Sequence, residues 1–119
     1  MLPSGEPAPG WPVEGVRLNS IPTVVEHVDI VSDGSGGAYV AWNDNRNGTS
    51  GGTPLDYEIY GQHVLADGTL DSRWPTDGLT IVDAPSAQYF FDLVADGSGG
   101  LIAVWDDYRA EAQIYAVRI

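Results

Sequence analysis

Two segments set an aromatic ring, a carboxylate and a guanidinium at alternate positions: Trp42, Asp44 and Arg46, and again Trp105, Asp107 and Arg109. Tyr108 falls inside the second segment and Tyr57 follows the first. An indole or phenol ring can stack on a sugar face while Asp and Arg hydrogen-bond its hydroxyls. On that chemistry these eight residues form the candidate ligand-binding set, with carbohydrate as the candidate ligand. A structural use competes with it. Asp44 and Arg46 can pair or cap a turn, and Trp42 can pack between layers, because a residue that recurs in every repeat usually answers a packing need that every repeat shares. Residues 47–56 hold an extra loop that appears in one copy only, so packing does not require it, and it is the better place for specificity.

Other chemistries find little support. Cysteine is absent, which removes disulfides, thiolate ligands and thiol nucleophiles. His27 and His63 have no counterpart in the other copy and are too few for a metal triad without carboxylates. Asp33 and Asp96 lie in oxygen-rich turns, but one carboxylate per turn falls short of a calcium loop, and Asp commonly caps such turns. There is no P-loop, no dinucleotide fingerprint and no supported Ser/His/Asp arrangement. Carboxylates are numerous enough for a glycosidase pair, yet the sequence sets no two at a working separation. Asn47-Gly48-Thr49 is a formal glycosylation triplet. The expectation is a protein that is not an enzyme, with no catalytic residue, no cofactor and no metal.

These residues are positioned by an internal repeat. Asp33-Gly34-Ser35-Gly36-Gly37 recurs as Asp96-Gly97-Ser98-Gly99-Gly100, and Trp11-Pro12 as Trp74-Pro75. Leu2, Gly5, Gly15, Pro22 and Asp29 recur as Leu65, Gly68, Gly78, Pro85 and Asp92, every pair being 63 positions apart (2 to 65, 29 to 92). After Arg46 the spacing falls to 55 (Ile59-Tyr60 to Ile114-Tyr115), so the first copy holds eight extra residues (63 − 55), within 47–56. The chain divides into repeat 1 (residues 1–64) and repeat 2 (residues 65–119), two whole periods cut at one phase.

Each period contains four strand-like segments. Residues 28–31 and 93–95 form the first, followed by the glycine-rich hairpin turns. Residues 38–42 and 101–105 form the second, 58–64 and 113–119 the third, and 16–18 and 79–82 the fourth. The second strand is apolar on both faces, as Tyr39-Val40-Ala41-Trp42 and Ile102-Ala103-Val104-Trp105. A half-exposed strand alternates apolar and polar residues, so this pattern calls for cover on both sides of the sheet. Asp29 and Asp92 fall in the innermost strand, where a carboxylate needs a partner, and Arg46 or Arg109 is the candidate.

Five arginines and no lysine stand against 17 acidic residues, a net charge of −12. A basic footprint for nucleic acid or an anionic membrane is missing. No run of apolar residues is long enough for a transmembrane helix. The Pro/Gly-rich residues 1–10 do not read as a signal peptide.

The combination of Asp-Gly-Ser-Gly-Gly, Trp-x-Asp-x-Arg and Ile-Tyr-(Gly/Ala) resembles a bacterial repeat family of secreted β-propellers. Its blades run from a glycine-rich hairpin through a Trp-x-Asp-x-Arg turn to an Asp-Ile-Tyr-Ala-Gln-Arg strand. The resemblance covers residues 33–46, 58–63, 96–109 and 113–118, with Glu58 or Gln113 for the strand's first Asp and Val117 for its Gln. It implies an extracellular or cell-surface setting and says little of function. It also implies a fold: an all-β propeller with two four-stranded antiparallel blades per chain.

Two blades cannot close a ring of the usual size, roughly four to eight blades, so other copies must complete it, and six blades from a trimer is the preferred count. Residues 16–18 of one copy would complete the last blade of the next, head to tail. The expected function is a non-enzymatic assembly or lectin-like binding module. The alternatives are a purely structural scaffold, a fragment of a larger propeller and, last, a sialidase-like hydrolase.

Overall fold

The computed structural model describes residues 2–47, 57–82, 88–107 and 111–119. Among them the chain is all β. It has seven strands: β1 (Val25–Ser32), β2 (Ala38–Asp44), β3 (Glu58–Val64), β4 (Leu79–Val82), β5 (Gln88–Ala95), β6 (Leu101–Asp107) and β7 (Gln113–Arg118). They form two antiparallel meanders, a four-stranded sheet in the order β1-β2-β3-β4 and a three-stranded sheet in the order β5-β6-β7. β4 opens the second sequence repeat but lies in the first sheet, paired to β3 with Tyr60 opposite Thr80 and Gly61 opposite Leu79.

The hairpins that join β1 to β2 and β5 to β6 are built alike. Asp33 Oδ1 accepts the N–H groups of Ser35 and Gly37 at 2.7 and 2.9 Å, and Asp96 Oδ1 those of Ser98 and Gly100 at 2.7 and 2.9 Å. Gly36 and Gly99 both hold φ near 88°, which an L side chain rarely adopts. The Asp therefore caps the turn, as its type and position suggested.

β1 and β5 begin earlier than the 28–31 and 93–95 read from the sequence. Both strands carry a register irregularity near their start, between Val25 and His27 and between Gln88 and Phe91. In β1 the side chain of Asn43 bridges it, its Oδ1 accepting the His27 N–H at 2.8 Å. Pairing thus resumes beyond the bulge, a device that propensity does not reveal.

The core lies between the two sheets. Tyr39, Ala41 and Ile59 of the first meet Phe91, Leu101, Ala103 and Trp105 of the second, with Ile81 and Val82 closing one side. Polar links reinforce it. Asp29 Oδ2 accepts the N–H of Leu93 at 2.8 Å, Asn43 Nδ2 donates to the Gln88 carbonyl at 3.1 Å, and Tyr39 OH donates to the Gly99 carbonyl. Within the chain one face of the second sheet is covered. β6 alternates accordingly, with Leu101, Ala103 and Trp105 buried and Val104 exposed.

Residues 16–18 pair with no strand among the described residues. The segment that leads to them is nevertheless ordered like its repeat counterpart. The Gly5 N–H donates to the Leu2 carbonyl as Gly68 does to Leu65. Trp11 donates to Ala8 as Trp74 does to Asp71, and Gly15 to Pro12 as Gly78 does to Pro75. Trp11 Nε1 holds the segment to the first sheet's β3–β4 connection through the Ala66 carbonyl at 2.9 Å.

Candidate functional site

β2 ends at Asp44, so the period of two sends Trp42 and Asp44 to one face. The Trp42 indole N–H donates to Asp44 Oδ2 at 2.9 Å. Arg46 then forks the same carboxylate, Nε to Oδ1 at 2.9 Å and Nη2 to Oδ2 at 2.6 Å, and its backbone N–H donates to Oδ1 at 3.1 Å. Its third arm, Nη1, reaches the Asp77 carbonyl at 2.9 Å. The guanidinium lies 3.6 Å from the Tyr60 ring centre, a cation–π contact that completes the stack.

Trp42 and Asp44 are buried and Arg46 nearly so. Burial alone would lower the Arg46 pKa, but the hydrogen bonds and charge of Asp44 outweigh it and raise it. Burial, then the hydrogen bond to Glu58, pushes the Tyr60 phenol up. Asn47 joins the rim, its Nδ2 donating to Glu58 at 2.7 Å and to Tyr60 at 3.0 Å.

The aromatic, carboxylate and guanidinium of the first motif are thus brought together, but facing one another. Tyr57 stands apart from that fork. It is buried, its OH donates to Glu26 at 3.0 Å, and its carbonyl accepts the Gln88 N–H at 2.9 Å. In the second copy Trp105 Nε1 donates to Asp107 Oδ2 at 3.1 Å, the same geometry on another sheet. Tyr108, Arg109 and most of the 47–56 stretch lie outside the described residues. The β2–β3 turn shares its end of the sheet with the segment entering β1, since Asn45 Oδ1 accepts from Thr23 Oγ1 at 2.9 Å and from the Val24 N–H at 3.1 Å.

Asp29 does not pair with Arg46. It takes backbone N–H groups instead, Ile30 on Oδ1 and Leu93 on Oδ2, both at 2.8 Å. Strands β1 and β5 bring unpaired edge amides within its reach, whereas Arg46 is consumed by Asp44.

At the opposite end lies a charged cluster that the sequence did not announce. His63 Nε2 sits 2.9 Å from Asp33 Oδ2 and Nδ1 2.9 Å from Asp71 Oδ2, with Tyr39 stacked on the imidazole at 4.3 Å. Arg73 Nη2 adds a contact of 2.6 Å to Asp71. The hydrogen bond from His63, then those from the turn amides, hold the Asp33 carboxyl below its ordinary value, and Arg73 followed by His63 holds Asp71 well below the usual carboxylate range. In the second sheet Arg118 takes the place of His63, with Nε 2.8 Å from Asp96 Oδ2. That exchange of a histidine for an arginine at a fixed Asp is the signal that could have found the pair.

Among the described residues no group of three or more His, Cys, Asp or Glu is arranged to hold a metal ion, and no helix is long and apolar enough to cross a membrane. What the Trp–Asp–Arg fork does chemically is tie a turn to two strands. No family model, curated protein or solved structure matches the chain.

Proposed function

We propose that the chain is a non-enzymatic assembly module, a pair of propeller blades whose outer faces are covered by those of other copies, head to tail, in a closed ring. The observation that carries this reading is the unequal burial of equivalent residues. Ile59 is fully buried between the sheets, while Ile114, its equivalent 55 positions on, is 73% exposed. Phe91 is 3% exposed, while Val28, its equivalent 63 positions earlier, is 59% exposed. The same holds for Ala41 against Val104. The outer face of the second sheet (Val94, Val104, Ile114) thus repeats the face that the first sheet buries within the chain. The outer face of the first sheet (Val28, Ile30) repeats the one that the second sheet buries. Each apolar patch has its complement on the same molecule, at the opposite end, which is the condition for a heterologous contact that closes by rotation. A cleft of about 330 Å³ beside Phe91, Val104 and Ile114 is where the next copy would seat.

The open edge of β7 supplies the second half of the joint. Exposed strand edges recruit strands, and the β3–β4 register carried over by the repeat offsets would set Ala116 opposite Val16 and Tyr115 opposite Arg17. Three copies would give six blades, within the roughly four to eight that propellers use. Native mass spectrometry and sedimentation test this, with three copies expected. A chain that sediments as a single folded copy overturns it. Because the protein has no cysteine, a Val16→Cys, Ala116→Cys variant adds a direct check, expected to give an intermolecular disulfide that closes into a covalent ring. Glycan binding remains the second use of the ring. It is favoured by Asn47 at the rim of the Tyr60–Glu58 pair and is tested by a glycan array on the assembled protein.

A further inference from the structure

We infer that Asp92 is a docking carboxylate for a second copy of this chain, accepting the main-chain N–H of Ile30 of that copy. The inference rests on the ring reading and names one polar contact of its joint. Within the chain, the carboxylate of Asp29 in β1 reaches across to β5 and accepts the Leu93 N–H at 2.8 Å. Asp92 is the repeat equivalent of Asp29 (92 − 63), and Ile30 is the equivalent of Leu93 (93 − 63). Advancing the observed contact by one sheet therefore places Asp92 against Ile30 of the next molecule.

Both partners are prepared for it. Among the described residues β1 and β5 each pair on one side only, with β2 and β6, so alternate amides along them point to an open edge. The Ile30 N–H is one of these. It donates to the Asp29 carboxylate of its own chain at 2.8 Å. Asp92 is exposed and lines the same cleft as Val104 and Ile114, the apolar residues that the next copy covers. A carboxylate there is costly to bury unless an N–H meets it, so its presence beside Val104 and Ile114 gives the face a direction and a register. A copy docked in the wrong orientation, or slipped by one residue, would bury Asp92 without a donor.

The test uses the full-length chain, its Asp92→Ala and Asp92→Asn variants, a sedimentation dilution series and amide hydrogen exchange read residue by residue. The charge-assisted bond is expected to contribute about tenfold to association at each joint, so Asp92→Ala should dissociate at about tenfold higher concentration. Asp92→Asn keeps an acceptor oxygen and should lose only about threefold. Under conditions where all three are assembled, Ile30 should exchange about tenfold faster in Asp92→Ala than in the unaltered protein. Leu93, held by Asp29 inside each chain, should be unchanged and so report an intact fold. Equal Ile30 protection in all three proteins, or a loss shared by Leu93, overturns the contact while the ring stands. An unaltered chain that remains single overturns the ring, and the contact with it.

Discussion

His63 lies 2.9 Å from Asp33, in the place where the second sheet sets Arg118 2.8 Å from Asp96. The two sheets thus solve one problem, holding the carboxylate of a hairpin against the last residues of the third strand, with different nitrogen-bearing side chains. The first sheet goes further, because β4 and the turn before it bring Asp71 to the other imidazole nitrogen. Replacing His63 by Ala removes the ring that both carboxylates approach and opens a hole beside Tyr39. A loss of about 1–3 kcal/mol in unfolding free energy is expected from urea denaturation. An unchanged midpoint would remove the cluster from the account of stability.

The carboxyl groups of Asp33, Asp71 and Asp96 are all held below their ordinary values, by His63, by Arg73 and by turn amides respectively. A folded-state value below the unfolded one stabilises the protein above the unfolded pKa of about 4, and this stability is lost as pH falls through the folded values. Urea midpoints should therefore drop as pH is lowered below about 4. Asp71→Asn should be less stable at neutral pH and show a shallower acid drop. A drop of equal steepness in that variant would assign the acid sensitivity elsewhere.

Asp44 accepts from Trp42, from the side chain of Arg46 and from its backbone. Asp44→Ala leaves an indole N–H and a nearly buried guanidinium without their acceptor, and a cost of about 3–5 kcal/mol follows from breaking a buried pair on one side. Thermal and urea unfolding measure it. A variant that folds with normal stability but loses ligand binding would instead return the motif to the role of a binding pocket.

Gly78 has φ of 105°, and a Cβ there would stand 3.0 Å from the Trp42 ring. Its equivalent Gly15 has φ of 88° with nothing within 4 Å of the same position. If the fourth strand of one copy completes the sheet of the next, Gly15 comes to lie against Trp105. Gly15→Val should then disrupt the ring in sedimentation, whereas Gly34→Val, at φ of 78° and also facing open space, should cost folding stability alone. Equal effects on the assembled mass would exclude that placement.

Much of this was legible in the residues. The 63-residue offset marks the strands, and the third and fourth strands of the first sheet, 58–64 and 79–82, fall where the pattern puts them. Propensity could not extend β1 back to Val25, because that depends on Asn43 reaching over a bulge from the neighbouring strand. Nor could it find the partners of Asp29. The sequence offers an arginine, but the fold offers amides, and proximity across two sheets decides between them. The Trp-x-Asp-x-Arg motif was legible as a group. The pairing of Asp44 with Arg46 was one of its two readings, and the fold was needed to choose, since residue types alone give the same chemistry to a pocket and to a knot.

The strand that begins the second repeat lies in the first sheet, so the unit copied in the gene and the unit folded in space are out of phase. The seam between the two sheets is therefore crossed by continuous polypeptide, and dividing the chain between residues 64 and 65 would part β3 from β4 rather than release two finished pieces. Inserting a further period would lengthen the row and leave its two ends chemically as they were. If copies join head to tail as proposed, gene duplication alone would change the size of the ring, without a new surface.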